Sequence, residues 1–226
     1  GTGTAGDTIT IKDATGTVIC TTTVQADGTW SCTPTAVLPE GANTLSVTAT
    51  DPAGNVSPAT PIVVTVDTTP PVAPVCTSTP NPSNGTVAVV VTCTGVEPGT
   101  TVTIPGTTCV PTPADASGTV TCTETTPGTL PTDPTVTVTD VAGNPTTNVV
   151  PYTKDTTAPV APVVTTVDGD PLDTTNPTKD TTPTLAGTGT AGDTITIKDA
   201  AGNPVCTTTV QADGTWSCTP TAVLPE

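Results

Sequence analysis

Eight cysteines are the residues of this chain best suited to specific chemistry. The chain has no histidine and no CxxC pair, so the usual ligand pattern of a structural zinc site is absent. Cysteines of this kind form disulfide bonds, and structural disulfides persist in oxidising compartments. The sequence therefore predicts an extracellular protein, located at the cell surface or in a secreted fibre.

Turn signals between the cysteines predict how they pair. Cys20 and Cys32 flank a turn that contains Asp27-Gly28, which is a strong hairpin signal. Strand periodicity puts the two cysteines on one face, so we expect them to meet across one hairpin. The same arrangement recurs twice, and the two remaining cysteines would join the first two strands of a middle domain. The predicted disulfides are Cys20 with Cys32, Cys76 with Cys93, Cys109 with Cys122 and Cys206 with Cys218.

Aspartate and asparagine cluster where predicted strands end and proline-containing linkers begin. Their side-chain oxygens suit Ca²⁺, which takes about six to eight oxygen ligands, backbone carbonyls included. The candidate ligands are Asp51, Asn55 and Asp67 at a first junction, Asp140, Asn144 and Asp155 at a second, and Asp13 and Asp199 as carboxylates from a neighbouring domain. Aspartate and asparagine are also common turn formers. Calcium binding and turn formation are both open interpretations of these residues.

Other chemistry is poorly supported. Without histidine there is no ordinary base for a serine or threonine nucleophile, and no GxSxG motif occurs, so we do not expect an enzyme. Four lysines against 20 acidic residues, with a net charge of -16, exclude nucleic-acid binding through phosphate neutralisation. No apolar run is long enough to insert into a membrane.

The elements that must position these residues are strands. Apolar and polar residues alternate with period two, and Gly, Pro, Asn and Asp separate the alternating segments. The predicted half-buried strands are Thr8–Ile11, Thr44–Ala49, Ile62–Val66, Val87–Cys93, Thr101–Ile104 and Thr135–Thr139. No segment keeps a period of 3.6. An all-β protein of antiparallel sandwiches with almost no helix is therefore expected.

Internal repetition defines the domains. Residues 1–40 return as residues 187–226 with changes at Thr15/Ala201, Thr17/Asn203, Val18/Pro204 and Ile19/Val205. A weaker repetition relates VTATDPAGN to VTVTDVAGN, and VDTTPPVAP to KDTTAPVAP. We predict domains at 1–67, lacking its first strand; at 68–155, more divergent; and at 156–226, truncated. The strand absent from the first domain corresponds to residues 178–186, and covalent continuation or strand exchange between chains would complete both partial domains.

The strings AGDTITIKDATG, TTTVQADGTWSCTP, LPEGANTLSVTATDPAGNVS and VDTTPPVAP carry a family likeness. They resemble the bacterial Ig-like tandem repeats of giant surface adhesins and biofilm-associated proteins. The resemblance implies β-sandwiches arranged end to end in a stalk, with calcium between domains in many members. It covers the first domain almost completely and the middle domain more loosely.

The expected function follows from the repeats and the resemblance together. We expect a disulfide-stabilised structural segment of an extracellular adhesin stalk or surface fibre that supports cell adhesion or biofilm formation. Its partners would be adjacent repeats of the same chain, neighbouring fibres or cell surfaces. The alternative is a binding module whose loops or sheet face recognise a glycan or a host protein, since multivalent binders also repeat.

Overall fold

A computed structural model describes residues 1–173, 175 and 178–223 of the chain. Those residues form seventeen strands in antiparallel sheets, and none of them is helical, which confirms the predicted all-β fold. The contacts divide the chain into two units, Gly1–Asp155 and Thr156–Glu226. The first unit contains two separate hydrophobic cores, and the second unit contains one.

Residues 1–67 form one four-stranded sheet. Its strands are β1 (Thr8–Lys12), β2 (Val18–Thr23), β3 (Gly41–Thr50) and β4 (Thr60–Val66), in the order β2-β1-β3-β4. The apolar residues of the Thr-Ile-Thr-Ile alternation in β1 point to one side, where Ile9 and Ile11 pack with Cys20 and Leu45. Period-two patterning thus builds this core directly.

Residues 68–155 form a sandwich of two sheets. The first contains β5 (Val75–Thr79), β6 (Val90–Thr94), β9 (Thr119–Glu124) and β8 (Thr107–Val110), in that order. The second contains β11 (Pro145–Val149), β10 (Thr135–Thr139) and β7 (Thr101–Thr103). Valines from both sheets, together with Leu130 and Tyr152, form the largest core of the chain. This is the most completely enclosed part of the molecule.

The second unit also has two sheets. One contains β13 (Asp170–Pro171), β12 (Val163–Val167), β14 (Leu185–Thr188) and β17 (Thr215–Cys218) in that order, and the other pairs β15 (Thr194–Lys198) with β16 (Pro204–Thr209). Ile195 and Cys206 from the small sheet pack with Trp216 and Cys218 from the large one. The core of this unit therefore lies between its sheets.

Three sequence-based strand predictions need correction. β4 was expected to be half-buried, but six of its seven residues are exposed, since it is an edge strand and faces no second sheet. The strand predicted at Val87–Cys93 begins only at Val90, and Val87 is exposed. Of the strand predicted over residues 178–186 only the last two residues are in a strand, at the start of β14 (Leu185–Thr188); Pro183, which cannot donate a ladder hydrogen bond, lies two residues before it.

The repeated sequence folds in two different environments. In the second unit, β14 and β17 pair along four residues, and Gly187 lies opposite Trp216. In residues 1–67 the equivalent strand pairing is a single bridge between Thr2 and Thr29, and no strand of these residues takes the place that β12 has in the second unit. Trp216 is consequently 3% exposed, whereas Trp30 is only partly buried.

Candidate functional site

The Asp51–Asn55 loop is closed by its own side chains. One carboxylate oxygen of Asp51 accepts a hydrogen bond from the Asn55 backbone at 2.8 Å, and the other accepts one from the Asn55 amide at 2.8 Å. Asp140 and Asn144 repeat both bonds at the same distances. Gly54 and Gly143 have φ of +91° and +98°, a conformation that glycine adopts without strain. Each loop is thus a self-contained turn.

Asp13 and Asp199 close two further loops of this type. Asp199 accepts hydrogen bonds from the backbone and side chain of Asn203. The first copy has Thr17 at the position of Asn203. There Asp13 accepts hydrogen bonds from the backbone N–H of Thr17 and from the hydroxyl of Thr15. Two of the four differences between the copies therefore compensate, since the hydroxyl lost at Ala201 is replaced by the amide gained at Asn203.

These hydrogen bonds hold the loop carboxylates in their charged form. Donation from the side chain of Asn55 is the largest influence that lowers the pKa of Asp51. Asn144 has the same effect on the pKa of Asp140, and Asn203 on that of Asp199. The first copy of the loop reaches the same result with a hydroxyl, because Thr15 lowers the pKa of Asp13. The four aspartates act as turn-closing anions.

The predicted calcium ligands do not group as expected. Asp51 follows the last residue of β3, whereas Asp67 follows β4, whose last residue pairs with Gly41 at the first residue of β3. The ten residues of β3 separate these two ends of the sheet by about 30 Å. The structure therefore does not bring Asp51 and Asn55 to Asp67.

The second set of predicted ligands is also divided. The amide of Asn144 donates a hydrogen bond to the carbonyl oxygen of Asp67 at 2.9 Å, so the Asp140 loop lies at the first junction and not at the second. The backbone N–H of Asp155 donates to Ser83, beyond the other end of β11. Within the described ranges, no three acidic or cysteine side chains are grouped in a way that could hold a metal ion.

The linker after Asp67 is held along β11 by side chains of alternate residues. Thr146 donates its hydroxyl proton to the carbonyl of Pro71 at 2.6 Å, and Asn148 donates to that of Pro74 at 3.1 Å. Together with Asn144, these residues lie two apart, so they share one face of the strand. We call Asn144, Thr146 and Asn148 the linker ladder. Sequence reasoning missed it, although the period-two polar pattern was available.

Glu40 holds the first residues of the same linker from the first domain. Its carboxylate accepts hydrogen bonds from the backbone and hydroxyl of Thr68, at 2.7 Å for the hydroxyl, and from the hydroxyl of Thr69 at 3.2 Å. The side-chain bond from Thr68 is the main cause of the lowered pKa of Glu40. The linker at this junction is therefore hydrogen-bonded to side chains of both the first and the second domain.

The four disulfides join the cysteine pairs predicted from the sequence. Cys76 lies directly opposite Cys93, and Cys109 directly opposite Cys122, with Cα atoms 4.0 and 3.9 Å apart. These two bridges join neighbouring strands within one sheet. The described cysteines include no free thiol.

The other two disulfides have a different geometry from the one expected. Cys206 lies on β16 and Cys218 on β17, which belong to different sheets, and their Cα atoms are 6.1 Å apart. The turn between them crosses from one sheet to the other, so it does not form the predicted hairpin. Cys20 and Cys32 repeat this spacing at 6.0 Å. A short sequence separation is therefore compatible with a bridge between sheets.

Glu124 is a buried acidic residue that sequence reasoning also missed. Its carboxylate accepts hydrogen bonds from the backbone of Val89 at 3.0 Å, and from the backbones of Thr129 and Leu130 at 2.7 Å each. Burial alone would raise the pKa of Glu124, but these hydrogen bonds outweigh it and lower the pKa. Glu124 thus joins the start of β6 to the loop at 125–130.

An apolar groove lies at the surface of the first domain. Its volume is about 330 Å³, and Val18, Val37, Leu38 and Leu45 contribute to its lining, with Asp13 among the polar neighbours. No helix in the described part of the chain is long and apolar enough to cross a membrane. The candidate functional site is the linker junction, because side chains of both domains hold its backbone through hydrogen bonds.

Comparison with known proteins gives a family match in the first domain. The family model of the bacterial Ig-like domain matches residues 1–68. Among solved structures, the chain is similar to the BSP domain of a biofilm-associated protein, with 26% identity over 69% of this chain and a TM-score of 0.23. It spans only 26% of that chain.

A second solved structure is the D00-D0 domain of intimin, with 17% identity over 57% of this chain and 75% of that one, and a TM-score of 0.23. A comparison with curated proteins finds no match. The predicted resemblance to bacterial Ig-like domains is confirmed, with the family match lying on residues 1–68.

Proposed function

We propose that the chain is a non-enzymatic structural segment of an extracellular bacterial adhesin stalk or surface fibre that supports cell adhesion or biofilm formation. The observation that carries this proposal is the linker held between Glu40 on one side and the linker ladder on the other. A linker with few free rotations transmits force between domains, whereas a flexible one absorbs it. The four disulfides support a location outside the cell.

Small-angle scattering of the purified chain tests the proposal. A stalk segment should give an elongated particle whose maximum dimension is unchanged when salt is raised. A compact particle would contradict the proposal. The double variant Glu40→Ala with Asn144→Ala should broaden the distribution of dimensions, and Glu97→Ala, which removes an exposed glutamate that makes no hydrogen bond to the described linker residues, is the matched control.

The alternative function, a binding module for a glycan or host protein, is favoured by the apolar groove of the first domain. Val37 contributes to its lining and is 97% exposed, and Val18 in the same lining is 49% exposed, so apolar surface is presented to solvent there. A glycan array and a panel of immobilised host proteins test this function. Binding that is lost in Val37→Asp but kept in Val141→Asp, a position in the second domain that is 88% exposed, would favour the module over the stalk.

Calcium binding is proposed for the first junction alone. The Asp67 carbonyl adjoins the Asp140 loop there through the amide of Asn144, and Glu40 contacts the same linker; a bound ion would have to draw these oxygens together, since the described carboxylates are not grouped as a metal site. We expect millimolar Ca²⁺ to raise the melting temperature of the chain, and Asp67→Asn to remove the increase. The control Asp155→Asn should keep it. An equal response of both variants, or no response to Ca²⁺, would refute this assignment.

A further inference from the structure

Asn84 is the only asparagine of the sequence that is followed by glycine, since every other asparagine precedes proline, threonine or valine. The backbone nitrogen after an asparagine can attack the side-chain amide carbon and form a cyclic imide. Proline has no N–H with which to react, and the branched Cβ of threonine or valine crowds the approach. Glycine has no Cβ at all. Gly85 therefore supplies the least hindered nucleophile of this kind in the chain.

The side-chain amide of Asn84 is accessible to water, because the residue is exposed. The amides of Asn55 and Asn144 are placed differently, since their nitrogens donate hydrogen bonds to the carboxylates of Asp51 and Asp140. Those bonds hold the nitrogen that would have to leave in such a reaction. Asn84 is instead bound through its oxygen, which leaves its carbon open to attack.

Thr86 polarises the side-chain amide of Asn84. Its backbone N–H donates to Oδ1 of Asn84 at 3.1 Å, and its hydroxyl donates to the same oxygen at 2.7 Å. Negative charge develops on Oδ1 when a nucleophile adds to the amide carbon. Two donors that are already in place stabilise this charge, as in the oxyanion hole of an enzyme.

Ser83 restrains the nucleophile. The N–H of Gly85 donates to Oγ of Ser83 at 3.1 Å, and this hydrogen bond must break before the nitrogen can attack. Ser83 is 2% exposed, so packing fixes its hydroxyl in position. The folded domain therefore activates the amide carbon through Thr86 and slows the reaction through Ser83.

We propose that Asn84 is a site of slow self-modification, at which the folded domain converts this asparagine to aspartate and isoaspartate. The nitrogen of Gly85 gives its proton to hydroxide and bonds to Cγ of Asn84. The bond from Cγ to Nδ2 breaks, and Nδ2 takes a proton from water and leaves as ammonia. Water then opens the imide at one of its two carbonyls. One opening gives aspartate, and the other gives isoaspartate, whose backbone contains an additional methylene.

Both products act on the last residues of the second domain. Ser83 donates its N–H to the carbonyl of Thr153 at 3.0 Å, and its own carbonyl accepts the N–H of Asp155 at 2.9 Å. Isoaspartate directly after Ser83 lengthens the backbone there and shifts this pairing. Either product also adds a negative charge to a surface pocket that Asn84 lines together with Asp155. Conversion therefore loosens residues 153–155, which end the first unit.

Incubation of the full chain in water labelled with heavy oxygen, followed by peptide mapping, tests the proposal. Labelled aspartate and isoaspartate should accumulate at residue 84 before any other asparagine reacts. Thr86→Val, which keeps the shape of the side chain and removes the hydroxyl donor, should slow conversion about tenfold. Ser83→Ala should accelerate it about fivefold. Thr108→Val, an exposed threonine of β8, is the matched control and should react at the wild-type rate.

The same measurement in concentrated urea separates the folded turn from the local sequence. Wild type and Thr86→Val should react equally fast there, because the turn that brings Thr86 to Asn84 is lost. A difference that persists in urea, an equal rate of both folded proteins, or conversion of another asparagine first would overturn the proposal. In the converted chain, amide exchange of residues 153–155 should be faster than in fresh protein. Unchanged exchange would refute the effect on the domain end.

Discussion

The side-chain amide of Asn144 donates a hydrogen bond to the backbone carbonyl of Asp67, 77 residues earlier in the chain. The same amide also closes the Asp140 loop, so one side chain joins a turn of the second domain to the start of the linker. Thr146 and Asn148 continue this contact along β11. The linker is in this way part of the second domain's surface.

Removing the middle contact of the linker ladder should loosen the linker without unfolding either domain. Thr146→Val keeps the shape of the side chain and removes the hydroxyl that bonds to Pro71. A neutral hydrogen bond contributes about 1 kcal/mol, so we expect amide exchange in residues 67–75 to become about fivefold faster. The neighbouring Thr147→Val, on the other face of β11, should leave linker exchange at the wild-type rate. Equal rates in both variants would mean that the ladder does not restrain the linker.

Glu124 should make the stability of the second domain sensitive to acid. Its pKa is lowered in the folded state, so its contribution is complete above the pKa of the unfolded chain, about 4.3, and is lost as pH falls through the lower folded value. Glu124→Gln should lower the free energy of unfolding by about 2 kcal/mol at pH 7. The difference between wild type and variant should shrink from pH 6 to pH 3 in urea denaturation.

Exposed Glu97→Gln serves as the control for this experiment, because its side chain lies at the surface of the same domain. It should leave the pH dependence of wild type unchanged. A gap between wild type and Glu124→Gln that stays constant down to pH 3 would show that the pKa of Glu124 is the same in the folded and unfolded states, and would contradict the lowered pKa.

The bridge between the sheets of the second unit should stabilise that unit specifically. Replacing Cys206 and Cys218 by alanine should lower its free energy of unfolding by about 3 kcal/mol, the value for a closed loop of this length. Unfolding can be followed by the fluorescence of Trp216 in a Trp30→Phe background. Replacing Cys20 and Cys32 instead should not change this signal. A shift of similar size in both double variants would show that the units do not unfold independently.

The two tryptophans should report the different environments of the repeated sequence. Trp216 is buried between the sheets, and Trp30 is partly exposed, although both donate their indole N–H to a backbone carbonyl. The Trp216→Phe variant, which retains Trp30, should therefore be quenched by acrylamide more strongly than the Trp30→Phe variant. Equal quenching would contradict the difference in burial between Trp30 and Trp216.

Local sequence determined much of this protein by itself. The alternation of isoleucine and threonine in β1 specifies both a strand and its buried face, because side chains in a strand alternate with period two. The Asp-x-Ala-Gly-Asn loops can be predicted from the sequence because their own five residues supply the hydrogen bonds and the positive φ that close the turn. Cysteine spacing around turns predicted three of the disulfides, and the two cysteines that remained, Cys76 and Cys93, form the fourth.

Only the tertiary structure decided which elements lie opposite one another. Spacing alone does not reveal that Cys206 and Cys218 belong to different sheets, because a turn of the same length can join strands within a sheet or between sheets. Nor does it place the Asp140 loop against Asp67 or leave β4 exposed, since these outcomes depend on pairing between residues far apart in sequence. Identical sequences, as in Trp30 and Trp216, acquire different burial because their neighbours come from other parts of the chain.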